Sequence, residues 1–105
     1  MTEKQDLNLA INFDDYSGEL FNLSLNYPPI ATAVLFFLAN DMDENNISKA
    51  TQKDMMDYFK KSRQTISGAL MNLEELGFIE KSKYSTFNVY HINKNIFRKV
   101  KGPKK

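Results

Sequence analysis

Residues 51–92 read TQKDMMDYFKKSRQTISGALMNLEELGFIEKSKYSTFNVYHI. Thr51 is a good N-cap, and Asp54 three positions on makes a variant of the capping box. The pattern predicts a short helix over Gln52–Phe59, with Met55, Met56 and Phe59 facing inward and Tyr58 partly so. A tight turn is expected at Lys60–Lys61. Ser62 is placed to cap a longer helix, Arg63 to Leu76. Its apolar positions Ile66, Ala69, Leu70, Leu73 and Leu76 recur at steps of three and four, which puts them on one face. Gly77 fits the left-handed position just past a helix end. Phe78 and Ile79, then Phe87 to Ile92, read as two strands joined through Lys81, Lys83, Tyr84, Ser85 and Thr86.

Towards the N-terminus, Pro28 and Pro29 stop an extended segment. Proline suits a first helical turn, where the amide has no intrahelical acceptor. A helix is expected over Pro29–Met42, with Ile30, Val34, Phe37 and Leu38 at helical spacing and Leu35 widening the stripe. The acidic, Asn-rich DMDENN ends it. Before it, Leu7, Leu9 and Ile11 alternate with polar residues, as do Phe21, Leu23 and Leu25, and the linking DDYSGE carries turn formers including Gly18. These features predict an N-terminal β-hairpin within residues 1–27. The end, KVKGPKK, reads as a basic flexible tail over residues 99–105, leaving residues 1–98 as a single domain.

The bulk composition fits this plan. A chain of 105 residues, 42% hydrophobic, has enough apolar surface for one modest core. It contains no cysteine, which excludes disulfides and thiolate chemistry. Its longest apolar run, Ile30 to Ala39 broken only by Thr32, falls short of the roughly 20 residues of a membrane span. The start MTEKQD is polar and acidic, unlike a secretory signal, so a soluble cytoplasmic protein is expected. Charge is divided unevenly. Residues 1–48 hold one lysine against eight acidic residues, net −7, and residues 49–105 hold thirteen basic against five acidic, net +8. A basic end joined to an acidic one suggests a polyanionic partner for the C-terminal half.

Catalytic and metal chemistry find little support. His91 is the only histidine, on an alternating strand, and a metal site needs several ligands. Asp14 and Asp15 lie in a turn-forming stretch, and Asp41, Asp43 and Glu44 lack the glycine and terminal glutamate of a calcium loop. No Gly-rich phosphate loop or nucleophile motif is present. The sequence therefore predicts no enzyme, cofactor, metal or small-molecule ligand. Phe36, Phe37, Phe59, Phe78 and Phe87 sit at core-compatible positions, and Met71 is expected at the surface.

The order helix, turn, helix, hairpin is that of a winged helix-turn-helix. The expected fold class is α+β: three helices plus a C-terminal β-hairpin wing, with the N-terminal hairpin added. On the 63–76 helix, Arg63, Gln64, Ser67, Met71 and Asn72 point away from the apolar stripe, with Thr65 at its edge. Arg pairs in bidentate fashion with guanine, and Gln or Asn with adenine. Lys60 and Lys61, with Lys49 and Lys53 around the preceding helix, are placed to hold phosphate; Lys81, Lys83 and Tyr84 on the hairpin are placed to touch phosphate or the minor groove, Ser62 can serve phosphate or base edges, and Thr51 and Gln52 are counted with the DNA-binding residues. The expected partner is double-stranded DNA, bound by a homodimer on repeated or palindromic half-sites.

The segment from Ala50 to Phe97 resembles the winged-helix replication proteins of plasmids and phages, the RepL type. The likeness rests on ATQKDM from Ala50, on SRQTISGALMNLEELGFI from Ser62 to Ile79, and on STFNVYHINKNIF from Ser85 to Phe97. It implies binding to the replicon's own origin and initiation or control of replication, with Ser62, Arg63, Gln64 and Thr65 matching the start of the family's recognition helix. The sequence departs from that pattern at Gly68, where a larger, often basic residue is expected. A transcriptional repressor or a plasmid-partition adaptor would use the same surface. A protein-interaction module is the alternative outside DNA binding.

Overall fold

Two antiparallel sheets and four helices make a mixed α+β fold in the computed structural model, which describes residues 7–101. The N-terminal MTEKQ and Asp6, and the tail residues 102–105, lie outside the described residues. The elements run β1 (Leu7–Ile11), α1 (Phe13–Asn26), α2 (Pro29–Asp41), β2 (Ile47–Ser48), α3 (Gln52–Phe59), α4 (Arg63–Glu75), β3 (Ile79–Tyr84), β4 (Phe87–Ile92) and β5 (Phe97–Lys101). β2, β4 and β3 form one sheet in that order, and β1 pairs with β5 in another. No helix among the described residues is long and apolar enough to cross a membrane.

The N-terminal hairpin does not form. Its first half is a strand, but β1 pairs with β5, with Leu7 opposite Lys101 and Ile11 opposite Phe97. Residues 13–26, expected to turn and return, are helical instead, in two pieces that meet at a kink at Tyr16 (φ −124°, ψ 16°). Two features favour the helix. The Asn12 side chain caps it, accepting a hydrogen bond from the Asp15 amide at 3.3 Å. Tyr16, Leu20, Leu23 and Tyr27 also recur at steps of four, three and four, and all four join the core or pack against it. The alternation of Phe21, Leu23 and Leu25 would have put all three on one side of a strand. In the helix Leu23 is 1% exposed, whereas Phe21 and Leu25 stand out at 54% and 78%. The expected frayed tail is shorter too: Lys99–Lys101 continue β5, and the Lys99 ammonium donates to the Asn40 carbonyl at 2.7 Å, at the C-terminal end of α2.

α2 is the central rod. Ala31, Val34, Leu35, Leu38 and Ala39 are buried along it, and it packs on α1, α4, β2 and β4. Burial nearly all round follows from its almost uniformly apolar sequence. The acidic stretch after it forms a turn. The Asp43 carboxylate accepts from the amides of Asn45 and Ile47 at 2.8 and 3.0 Å. Asn46 follows with a left-handed backbone at φ 64° and a buried side chain. Its Nδ2 donates to the Ile92 carbonyl at 2.9 Å and the Phe97 carbonyl at 2.8 Å, tying the end of β4 to the start of β5.

α3 and α4 occupy the expected spans to within a residue. Thr51 and Asp54 complete a reciprocal capping box, and Ser62 caps α4 through the Thr65 amide at 3.2 Å. α4 closes in a Schellman motif: the Gly77 amide donates to Glu74 at 3.1 Å and the Phe78 amide to Leu73 at 2.9 Å. Gly77 sits at φ +84°. Gly77→Ala should therefore destabilise the fold by about 1–2 kcal/mol, the cost of a Cβ in the left-handed region. A urea titration measures this; an unchanged midpoint would show that the motif does not hold the helix end.

The aromatic residues divide less neatly than expected. Phe78 is buried and Phe37 and Phe59 pack against the core, but Phe36 and Phe87 are exposed. Tyr58 also lies at the surface, its ring 5.1 Å from Phe37 and 5.0 Å from Phe59.

Candidate nucleic-acid interface

The candidate surface begins at the turn between α3 and α4. Lys60 adopts a left-handed backbone at φ 59°, and both its amide and that of Lys61 donate to the Met56 carbonyl. This folds the chain sharply and leaves both ammonium groups exposed just before the N-terminus of α4. Arg63, Gln64 and Thr65 are exposed on its first turn. The Ser62 hydroxyl is partly committed, accepting from the Thr65 amide and lying 3.1 Å from the Thr65 hydroxyl.

Along α4 the face opposite the core runs through Gln64, Gly68 and Met71 at steps of four and three. Met71 is 55% exposed, and a Cβ at Gly68 would meet nothing within 4 Å. Ser67 and Asn72 are half-buried and flank this line. Glu75 lies on the same face one turn beyond Met71. A carboxylate there repels phosphate, which confines any nucleic-acid contact to the first two turns. Those turns also carry the positive end of the helix dipole.

Two residues assigned to the same surface, Thr51 and Lys53, are engaged elsewhere, and a third, Gln52, is half-buried. The Thr51 hydroxyl is spent on the Asp54 amide at 3.0 Å. Gln52 is half-buried, with its side chain near the Tyr90 hydroxyl. Burial raises the Tyr90 pKa above its ordinary value, with the Gln52 hydrogen bond drawing it down and Glu74 raising it further. Lys53 pairs with Asp57 at 3.0 Å, both well exposed, so its charge is largely matched within its own helix. That pair is the single ion pair among the described residues, which leaves Lys60, Lys61, Arg63, Lys81 and Lys83 without a carboxylate partner there.

The β3–β4 hairpin turns at Ser85–Thr86, with Ser85 at φ 61°. Lys81 lies opposite Tyr90 and Lys83 opposite Asn88, so both lysines share the sheet face that carries Tyr90 to α3. Tyr84 lies opposite Phe87 on the reverse face, their ring centroids 6.1 Å apart. The lysines therefore belong with the α3–α4 side, and Tyr84 does not. His91, on the face of Tyr84, is hydrogen-bonded to Ser82 at 2.9 Å. No group of three or more His, Asp or Glu able to hold a metal ion occurs among the described residues.

The candidate surface is thus smaller and sharper than the sequence reading: a basic turn, two helical turns centred on Gln64 and Gly68, and a two-lysine hairpin face. The place of Gly68 at the centre of the α4 face could have been found by projecting the helix at 100° per residue. The partial burial of Gln52 beside Tyr90 had no sequence signal. No protein-family model, curated protein or solved structure matches the chain.

Proposed function

We propose that the protein binds double-stranded DNA as a winged helix-turn-helix, with α3, the Lys60–Lys61 turn and α4 as the helix-turn-helix and β3–β4 as the wing. One observation carries the reading: the first turn of α4 presents Arg63, Gln64 and Thr65 to solvent, beside lysines with no carboxylate partner among the described residues. A solvated polar helix face is common. A solvent-exposed helix N-terminus bordered by lysines, on a face with a glycine at its centre, has the form required to seat a helix against a polyanionic groove.

Within this reading, Gln64 and Arg63 reach base edges, and Lys60, Lys61, Lys81 and Lys83 hold the backbone. Gly68 lets the helix axis approach closely. Two copies on adjoining half-sites would supply the affinity that one short helix lacks. A role in initiating or controlling plasmid or phage replication is what the sequence resemblance of residues 50–97 to RepL-type proteins would imply, and it is proposed as that alone.

Arg63→Ala tests the base-reading part. On a duplex selected from a random pool by the wild-type protein, it should cost about 1–3 kcal/mol and relax preference at one base pair. Equal loss on every sequence would remove Arg63 as a base reader and leave it a phosphate contact.

A further inference from the structure

Between Gln64 and Met71 the outward face of α4 carries a notch. Gly68 lies at its centre, and a Cβ there would meet nothing within 4 Å, so the space above it is open. Gly68 is the sixth residue of the thirteen in α4 and has no left-handed backbone. Glycine at such a position weakens the helix and serves no turn. Met71, 55% exposed, bounds the notch on its C-terminal side. Long side chains on a helix lean towards its N-terminus, over the preceding turn. The Met71 thioether is thereby carried back over Gly68, into the two turns that Glu75 leaves to nucleic acid.

The chemistry of the notch limits what it can read. Gly68 has no side chain, and Met71 has no donor and only a weak acceptor. In the major groove every base presents hydrogen-bonding groups, and thymine alone adds a methyl. A polar base edge pressed into the notch loses water without gaining a partner, whereas a methyl gains by leaving water. The thioether is polarizable and adapts its shape to such a contact.

We propose that Gly68 and Met71 read the 5-methyl group of a thymine, close to an adenine read by Gln64. This assignment rests on the DNA-binding reading and names the base chemistry of that same surface. Gln64 and Gly68 lie four residues apart, about 6 Å along the helix axis. With the axis along the groove, that spans roughly two base steps of about 3.4 Å. Each half-site therefore carries two A·T pairs no more than about two steps apart.

Replacing thymine by deoxyuridine removes that methyl and leaves the hydrogen-bonding groups of the base in place. On the duplex selected by the wild-type protein from a random pool, thymines are replaced one at a time. One replacement in each half-site should weaken binding about fourfold, the effect of one buried methyl. Met71→Ala should bind the thymine and uracil duplexes equally. Gly68→Leu should be at least as stable as wild type in a thermal melt, because the space at its Cβ is open and leucine favours a helix. It should nevertheless lose the thymine preference and at least about tenfold in affinity for the selected duplex. Wild-type binding indifferent to every thymine methyl, or either variant keeping the full discrimination, would overturn the assignment and leave the DNA reading intact. A wild type that ignores duplexes of every sequence at low ionic strength would overturn both.

Discussion

Replacing Lys60, Lys61, Lys81 and Lys83 together with alanine should flatten the salt dependence of duplex binding by about 3.6 in the slope of log K against log salt. Each phosphate neutralised contributes about 0.9 to that slope for B-form DNA, and the four lysines carry no competing ion pair among the described residues. Between about 50 and 200 mM salt, four such contacts amount to roughly a hundredfold in affinity. The loss should be similar on all sequences, because phosphate contacts position without reading. All four side chains are exposed, so stability should be little changed. Lys53→Ala provides the contrast. Its charge is already paired with Asp57, and the slope should move by much less than one contact. A quadruple variant with an unaltered slope would separate the basic turn and hairpin from DNA altogether.

The largest effect on folding is expected at Asn46. Its amide holds two buried carbonyls, those of Ile92 and Phe97, and its backbone is left-handed. Asn46→Ala leaves both carbonyls unpaired, at about 1–3 kcal/mol each, and adds roughly 1–2 kcal/mol of backbone strain. A net loss of about 3 kcal/mol or more is a large share of the 5–15 kcal/mol by which such domains are stable. Asn46→Gly should cost less, because it removes the hydrogen bonds without the strain. Urea unfolding of the two variants measures both terms. If the alanine variant were no less stable than the glycine variant, the left-handed backbone would not be a cost.

The helices from Pro29 onward were legible because each declared itself twice, by periodicity and by its ends. Pro29, the Thr51–Asp54 box, Ser62 and Gly77 mark boundaries that the apolar steps then fill. Residues 13–26 were harder because Phe21, Leu23 and Leu25 satisfy a period of two while Tyr16, Leu20, Leu23 and Tyr27 satisfy a helical one. Only the capping contact of Asn12 and the burial of Leu20 and Leu23 decide between them. The β1–β5 pairing joins residues some ninety positions apart, and no local pattern encodes such a partner. Asn46 shows the same limit: in sequence it belongs to a polar helix-ending stretch, and in space it links two strands. At the candidate interface, the identity of α4 and its outward residues could be read from spacing alone. The partial burial of Gln52, and the place of Tyr84 on the reverse face of the hairpin, depend on tertiary packing and strand register.

Amide chemical shifts recorded while a short duplex of arbitrary sequence is added at low ionic strength test most directly whether α4 enters DNA. Nonspecific and specific binding should use the same face, so no target sequence is needed. The expected result is a set of perturbations at residues 60–68 and at Lys81 and Lys83, fading towards Glu75 and absent from α1. Shifts concentrated on α1, or none at any duplex concentration, would contradict the account.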